Sequence, residues 1–148
     1  WVKQTIPQGS KIAVEHWDDR VPLDGNYQFL EMPMYEPDSS QQKWQVIEKN
    51  LQEADYLILA SNRLYTPLQK LTDCQKYKTC YTKTARYYQD LFTGKLGFKE
   101  MARFTSYPKL EIGSWKLEIH DDEADESFTV YDHPKVIIFR KNGQIYPD

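Results

Sequence analysis

The run Tyr56–Ala60 (YLILA) is apolar on both of its faces. A strand of that kind has to be covered on two sides, the situation of a parallel sheet in an α/β domain. Its surroundings fit. Upstream, Trp44, Ile47, Leu51 and Ala54 recur at helical spacing with Lys43, Glu48, Lys49 and Glu53 on the opposite side, the pattern of an amphipathic helix. Asp38 to Ser40 supply cap residues for it, with Ser39 and Gln42 spaced as a capping box. Downstream, Tyr81, Ala85, Tyr88 and Phe92 line one side of a second helix that Gly94 or Gly97 can end. On this spacing Tyr88 is a core residue and Tyr87 a surface one.

Strands bracket these helices. Lys11–His16 places Ile12 and Val14 on one face and Ala13 on the other, and Phe98–Tyr107 reads as a third strand. The order β-α-β-α-β predicts a right-handed α/β layer. Added to it are a hairpin in Lys109–Ile119, turning at Gly113 and Ser114, and two short strands within Ser127–Phe139. The fold class is therefore α/β: a small mixed sheet with a parallel β-α-β-α-β core flanked by helices, an antiparallel hairpin and terminal strands. Between the first strand and the first helix, Pro22, Gly25, Pro33 and Pro37 break a connection of about 20 residues, too interrupted for regular structure and long enough to act as a lid.

One domain of 148 residues is the expectation, spanning residues 1–148. The 19 Lys+Arg and 22 Asp+Glu leave a net charge of −3 without any basic block, which argues against a nucleic-acid partner. The 11 Tyr are in excess and suit half-buried surfaces and clefts. YLILA falls far short of the roughly 20 apolar residues of a membrane helix, and no leader peptide can be read. The opening on Trp1, Val2 and Ile6 resembles the exit of a preceding membrane helix, with Trp1 at interfacial depth, so the chain reads as a soluble, monomeric piece of something longer. Cys74 and Cys80, six apart in a polar loop, can close a small disulfide or remain two free thiols.

Chemistry is expected where open α/β sheets bind ligands, past the carboxyl ends of strands. WDDRVP follows the first strand and ASNRLY the central one. Asp18, Asp19, Asn62, Arg63 and Tyr65 are thus the candidate ligand-binding residues. The two acids can hold sugar hydroxyls or a cation, or cap a turn. Arg63 can clamp a phosphate or carboxylate, or pair with Asp18 or Asp19 and tie the loops together. His16, His120 and His133 are too scattered for a metal site. The acids Asp121, Asp122, Glu123, Asp125 and Glu126 lack the alternation of a calcium loop. No nucleophile elbow, P-loop or dinucleotide fingerprint is present, so no cofactor, metal or catalytic residue is assigned.

The segments IPQGSKIAVEHWDDRVP, KWQVIEKNLQEADYLILASNRLY, ARYYQDLFTGKLGFKEMARFTSYP and DDEADESFTVYDHPKVIIFRK, together running from Ile6 to about Lys141, resemble the extracytoplasmic soluble region of large polytopic membrane proteins. These are glycosyltransferase-like proteins of the lipid-phosphate-sugar-dependent superfamily, including the group known as YYY-type membrane proteins. The resemblance implies a membrane-embedded parent that moves a sugar from a polyprenyl-phosphate donor onto an acceptor outside the cytoplasm. The catalytic acid of such enzymes lies in a loop between early membrane helices, so no position here inherits it. This domain would be its non-catalytic outer part at the cell membrane, joined to its own transmembrane domain and binding glycan, acceptor or lipid-linked sugar. The alternative is an interaction module that docks a partner protein or cell-wall polymer.

Overall fold

The computed structural model describes residues 1–18, 20–107, 109–112, 115–118 and 135–143. Eleven elements follow one another among them: α1 (Val2–Thr5), β1 (Lys11–Glu15), β2 (Gln28–Met32), α2 (Gln41–Glu53), β3 (Tyr56–Leu59), α3 (Tyr65–Lys70), α4 (Thr82–Phe92), β4 (Phe98–Thr105), β5 (Lys109–Ile112), β6 (Trp115–Glu118) and β7 (Lys135–Lys141). Five strands form a mixed sheet in the order β2-β1-β3-β7-β4, and β5 and β6 form a separate antiparallel pair. The architecture is α/β, as the strand and helix patterns predict.

The parallel part is β2-β1-β3, with Ala13 opposite Leu30 on one side and Leu57 on the other. β7 enters antiparallel to both β3 and β4. The strand predicted third therefore runs in the same direction as β1 and β3 but is separated from them by β7. β3 is buried along its whole length, as its two apolar faces demand. One face carries Ala13, Leu57, Leu59 and Phe139 against α2, α3 and α4; the other packs Ile12, Val14, Tyr56 and Ile58 under Val2, Ile6, Val21 and Leu23. Covering β3 twice removes several large side chains from water, at about 25 cal/mol per Å² of apolar surface.

Four expectations are corrected. The long connection is not irregular: it contains β2, and Tyr27, Met32 and Met34 go into the core rather than forming a lid. Its prolines flank the strand without entering it, which is where a sheet tolerates them. The cap of α2 is Ser40, whose hydroxyl accepts from the Lys43 amide at 3.2 Å, so Ser39 and Gln42 do not form the box. Lys43 lies on the buried face of α2 rather than in solvent, and Tyr87 is buried beside Tyr88. Both reversals have one cause: the loop before α2 and the added helix α3 widen the covered area on α2 and α4 beyond a single apolar stripe. Gly94, at φ 75°, supplies the left-handed residue after α4.

Cys74 and Cys80 are joined in a disulfide. The strands expected within Ser127–Phe139 are represented by β7; residues 127–134, the Gly113–Ser114 turn, His120, His133 and the acidic run lie outside the described residues, as does Asp19.

Candidate functional site

The carboxyl ends of β1 and β3 lie side by side, and the loops leaving them meet. Ser61 Oγ donates to Asp18 Oδ2 at 2.8 Å and accepts the Arg63 amide at 3.1 Å. The convergence expected of WDDRVP and ASNRLY is present, with Ser61 as the joint. Asn62 is buried at the start of the turn, its carbonyl accepting from the Thr66 amide at 3.3 Å, and Arg63 is half-buried. Tyr65 opens α3 and packs edge-on against Tyr88 and Phe92, with ring centroids 6.2 Å and 5.4 Å apart. Of the five candidates, Tyr65 thus holds α3 to α4, while Asp18, Asn62 and Arg63 shape the edge. An Arg63–Asp19 pairing lies outside the described residues.

Beneath this edge sits Glu15, the last residue of β1 and only 6% exposed. It shares the Ala13 face, so its carboxyl points toward α4, where the Tyr88 hydroxyl donates to Oε1. Oε2 has no hydrogen-bond partner among the described residues. Burial pushes the Glu15 carboxyl up to about 8; the Tyr88 hydrogen bond pulls it back in part, and the neighbouring negative charge of Asp18 raises it further. The phenols of Tyr87 and Tyr88 are raised as well, first by burial and then by Glu15. A protonated acid at the end of a parallel strand has the make-up of a general acid. Its surroundings do not: the cavity it lines, with Asp18, Arg20, Phe29 and Ile58, measures about 10 Å³, room for one water and for no substrate.

Room for a ligand lies on the other side of the same edge. A cleft of about 370 Å³ between β2 and α2 is lined by His16, Glu31, Glu36, Ser40, Gln42 and Lys43, with Pro33 and Val46 as its apolar part. His16 Nδ1 is 2.9 Å from Glu31 Oε2. The next residue, Trp17, is 67% exposed, its ring edge-on to His16 at 4.9 Å. Its backbone adopts φ 76°, a left-handed conformation held by no other described non-glycine residue. A bulky side chain there costs about 1 kcal/mol or more, and here the cost is borne by an indole that remains largely in water.

A second polar cluster underlies the cleft. The side chain of Lys43 is 0% exposed. Its ammonium donates to the carbonyls of Met34 at 3.0 Å and Glu36 at 2.7 Å, to Asp38 Oδ1 at 3.1 Å and to Thr84 Oγ1 at 2.5 Å. Asp38 also accepts the amides of Lys83 at 2.6 Å and Thr84 at 3.2 Å. The N-cap residue of α4, Tyr81, makes no side-chain cap hydrogen bond; Asp38 takes over that role from a remote loop and sets a negative charge at a helix N-terminus. Burial lowers the Lys43 ammonium, opposed by Asp38. Burial alone would raise the Asp38 carboxyl, but the hydrogen bonds from Thr84 and Lys43 outweigh it, and it lies below its ordinary range.

Glu15, Trp17 and Lys43 carry the chemistry of this edge and were not singled out by pattern. Glu15 had a signal: an acid on the same parity as Ala13 in an apolar strand must be buried. Trp17 had none, because Trp is not a residue that marks a left-handed turn. No group of three or more metal-ligating side chains occurs among the described residues. No family model, no curated protein and no solved structure matches the chain.

Proposed function

We propose that this chain is the non-catalytic, extracytoplasmic outer domain of a membrane-embedded glycosyltransferase that uses a polyprenyl-phosphate sugar donor. Its task is to bind or position glycan or acceptor at the carboxyl edge of β1, β2 and β3. The observation that carries the reading is Trp17: an exposed indole in an unfavourable backbone conformation, edge-on to His16, which lines a 370 Å³ cleft. An aromatic face next to carboxylate and amide groups suits a sugar, whose ring presents C–H faces and whose rim presents hydroxyls. The sequence resemblance from Ile6 to about Lys141 supplies the membrane context. No helix among the described residues is long and apolar enough to cross a membrane; in this reading the spanning part belongs to the parent chain, which is the domain's own partner.

The reading is tested in the full-length protein in its membrane. Trp17→Ala should lower sugar transfer at least tenfold at limiting acceptor and recover at saturating acceptor, as expected when binding rather than chemistry is lost. Transfer unaffected at every acceptor concentration would refute it. So would a parent that partitions into water without detergent.

A second reading, an interaction module docking a partner protein or cell-wall polymer, is favoured by a different surface. Trp1, ahead of α1, and Phe104, on the edge strand β4, are both exposed and stack edge-on at 5.5 Å. An exposed aromatic pair on a sheet edge fits a docking contact. Loss of partner capture on Phe104→Ala, with Trp17→Ala silent, selects this alternative.

A further inference from the structure

We infer that the cleft beside Trp17 takes a neutral or amine-bearing sugar and rejects a phosphorylated one, so that it serves the acceptor glycan rather than the phosphate end of a lipid-linked donor. The inference rests on the reading of this edge as a glycan site and adds the charge class of the ligand. It comes from counting what the cleft can offer. Lys43 is the ammonium among its lining residues, and its side chain is wholly buried. Its three N–H groups are shared among four acceptors, Met34 O, Glu36 O, Asp38 Oδ1 and Thr84 Oγ1, all within the protein. A phosphate entering the cleft finds no free cation there among the described residues.

The exposed charge that remains on the lining is carboxylate. Glu31 and Glu36 are exposed carboxylates, which only accept hydrogen bonds at neutral pH. His16 has one nitrogen engaged with Glu31. Ser40 Oγ accepts the Lys43 amide and keeps its own O–H to donate, and the Gln42 amide both donates and accepts, so both suit a hydroxyl without supplying a positive charge. The two carboxylates ask for donors: hydroxyls, or an ammonium group that would gain a charge-assisted hydrogen bond. A dianionic phosphate would instead lie close to two like charges. The volume, near the lower end of the range for small-molecule sites, has room for one or two sugar rings against the His16 wall that Trp17 flanks.

The test is a panel of immobilised glycans spanning neutral, amine-bearing, carboxylated and phosphorylated members, probed with the full chain, Trp17→Ala, and Glu31→Gln/Glu36→Gln. The expected result is binding confined to neutral and amine-bearing members and abolished by Trp17→Ala. The double Gln variant should bind amine-bearing members about tenfold more weakly and neutral ones nearly as before. Phosphorylated members bound as tightly as neutral ones, with Trp17 still required, would overturn this inference and leave the glycan reading standing. Absence of binding to every member, or binding indifferent to Trp17→Ala, would overturn both.

Discussion

Two buried polar clusters lie under the helical layer of the sheet, and they are built on opposite principles. At Lys43–Asp38–Thr84 each N–H of the ammonium has an acceptor, and the acid that pairs with it also caps α4. At Glu15–Tyr88 one carboxyl oxygen has a donor, the other has none among the described residues, and a small cavity adjoins it. The first is a staple between the loop before α2 and the start of α4. The second is a cost carried by the fold directly beneath the carboxyl edge of β1 and β3. Satisfied networks hold structure in place, whereas unsatisfied buried groups mark where other demands act.

The sharpest way to break this comparison is to remove the ammonium. Lys43→Met keeps most of the side-chain volume but takes the ammonium from the carbonyls of Met34 and Glu36 and from Asp38, whose charge then has only the amides of Lys83 and Thr84 and the Thr84 hydroxyl. The expected loss is about 3 to 5 kcal/mol, the usual cost of breaking one side of a buried pair. It should be read as a fall in urea midpoint at unchanged slope. A loss below about 1 kcal/mol would show that the cluster is not a staple.

Next comes pH, where the two clusters have opposite signs. The Glu15 carboxyl is raised in the folded state from about 4.5 to about 8. Below the unfolded value both states hold the proton and nothing is lost. As pH rises through the window the unfolded chain releases its proton while the folded chain keeps it, so stability falls until the folded group also ionises. The loss reaches up to about 4 kcal/mol by pH 8. Asp38 is lowered, so its contribution is present above the ordinary carboxyl range and fades as pH falls toward its folded value. Thermal melts should therefore rise with acidification toward pH 5 and drop below pH 4. In Glu15→Gln the decline between pH 5 and 8 should flatten, making that variant the more stable protein at pH 8. A wild-type melting curve flat across the same range would mean that Glu15 is not a buried, proton-holding acid.

A smaller effect tests whether the staple depends on covalent closure nearby. The Cys74–Cys80 disulfide closes a short loop just ahead of Tyr81, whose hydroxyl donates to the Tyr35 carbonyl at 2.9 Å at the margin of the Lys43 cluster. Replacing both cysteines by serine should cost about 2 kcal/mol by chain entropy. If this variant and Lys43→Met lower stability additively, the loop and the cluster are independent; a shortfall measures their coupling.

Much of the fold was legible because it is local. The double-faced run at Tyr56–Leu59, the apolar period of α2 and the alternation in β1 each show in a few residues. β2 was hidden because Gln28–Met32 is a half-covered edge strand with a burial pattern that does not alternate. The insertion of β7 between β3 and β4 depends on contacts far apart in the chain, which no window of sequence contains. Of the candidate site, the meeting of two loops was legible and the groups around it were not. WDDRVP and ASNRLY pointed to loops that do meet, yet the contact that joins them falls to Ser61, and the cleft opens between His16 and α2. A buried lysine cannot be read from periodicity either, since Lys43 is kept by acceptors drawn from Met34 to Thr84.

The smallest expected effect bears most directly on what the edge is for. Trp17→Ala removes the indole but leaves a Cβ in the same left-handed backbone, so it cannot separate the ring from the strain beneath it. Trp17→Asn can, because asparagine tolerates that conformation far better than a bulky residue does. Against the relief stands the loss of the edge-on contact with His16, a contact made in water. The balance should be a change between zero and about +1 kcal/mol in stability. Chemical denaturation resolves a difference of that size if both proteins are measured at the same pH, well below the Glu15 window. Destabilisation beyond about 1 kcal/mol would make Trp17 a packing residue and place the edge in the same class as the staple. A neutral or stabilising result, combined with lost glycan binding, would mean that the folded chain carries an exposed indole at its own expense. A group kept at a cost to stability has its partner outside the domain.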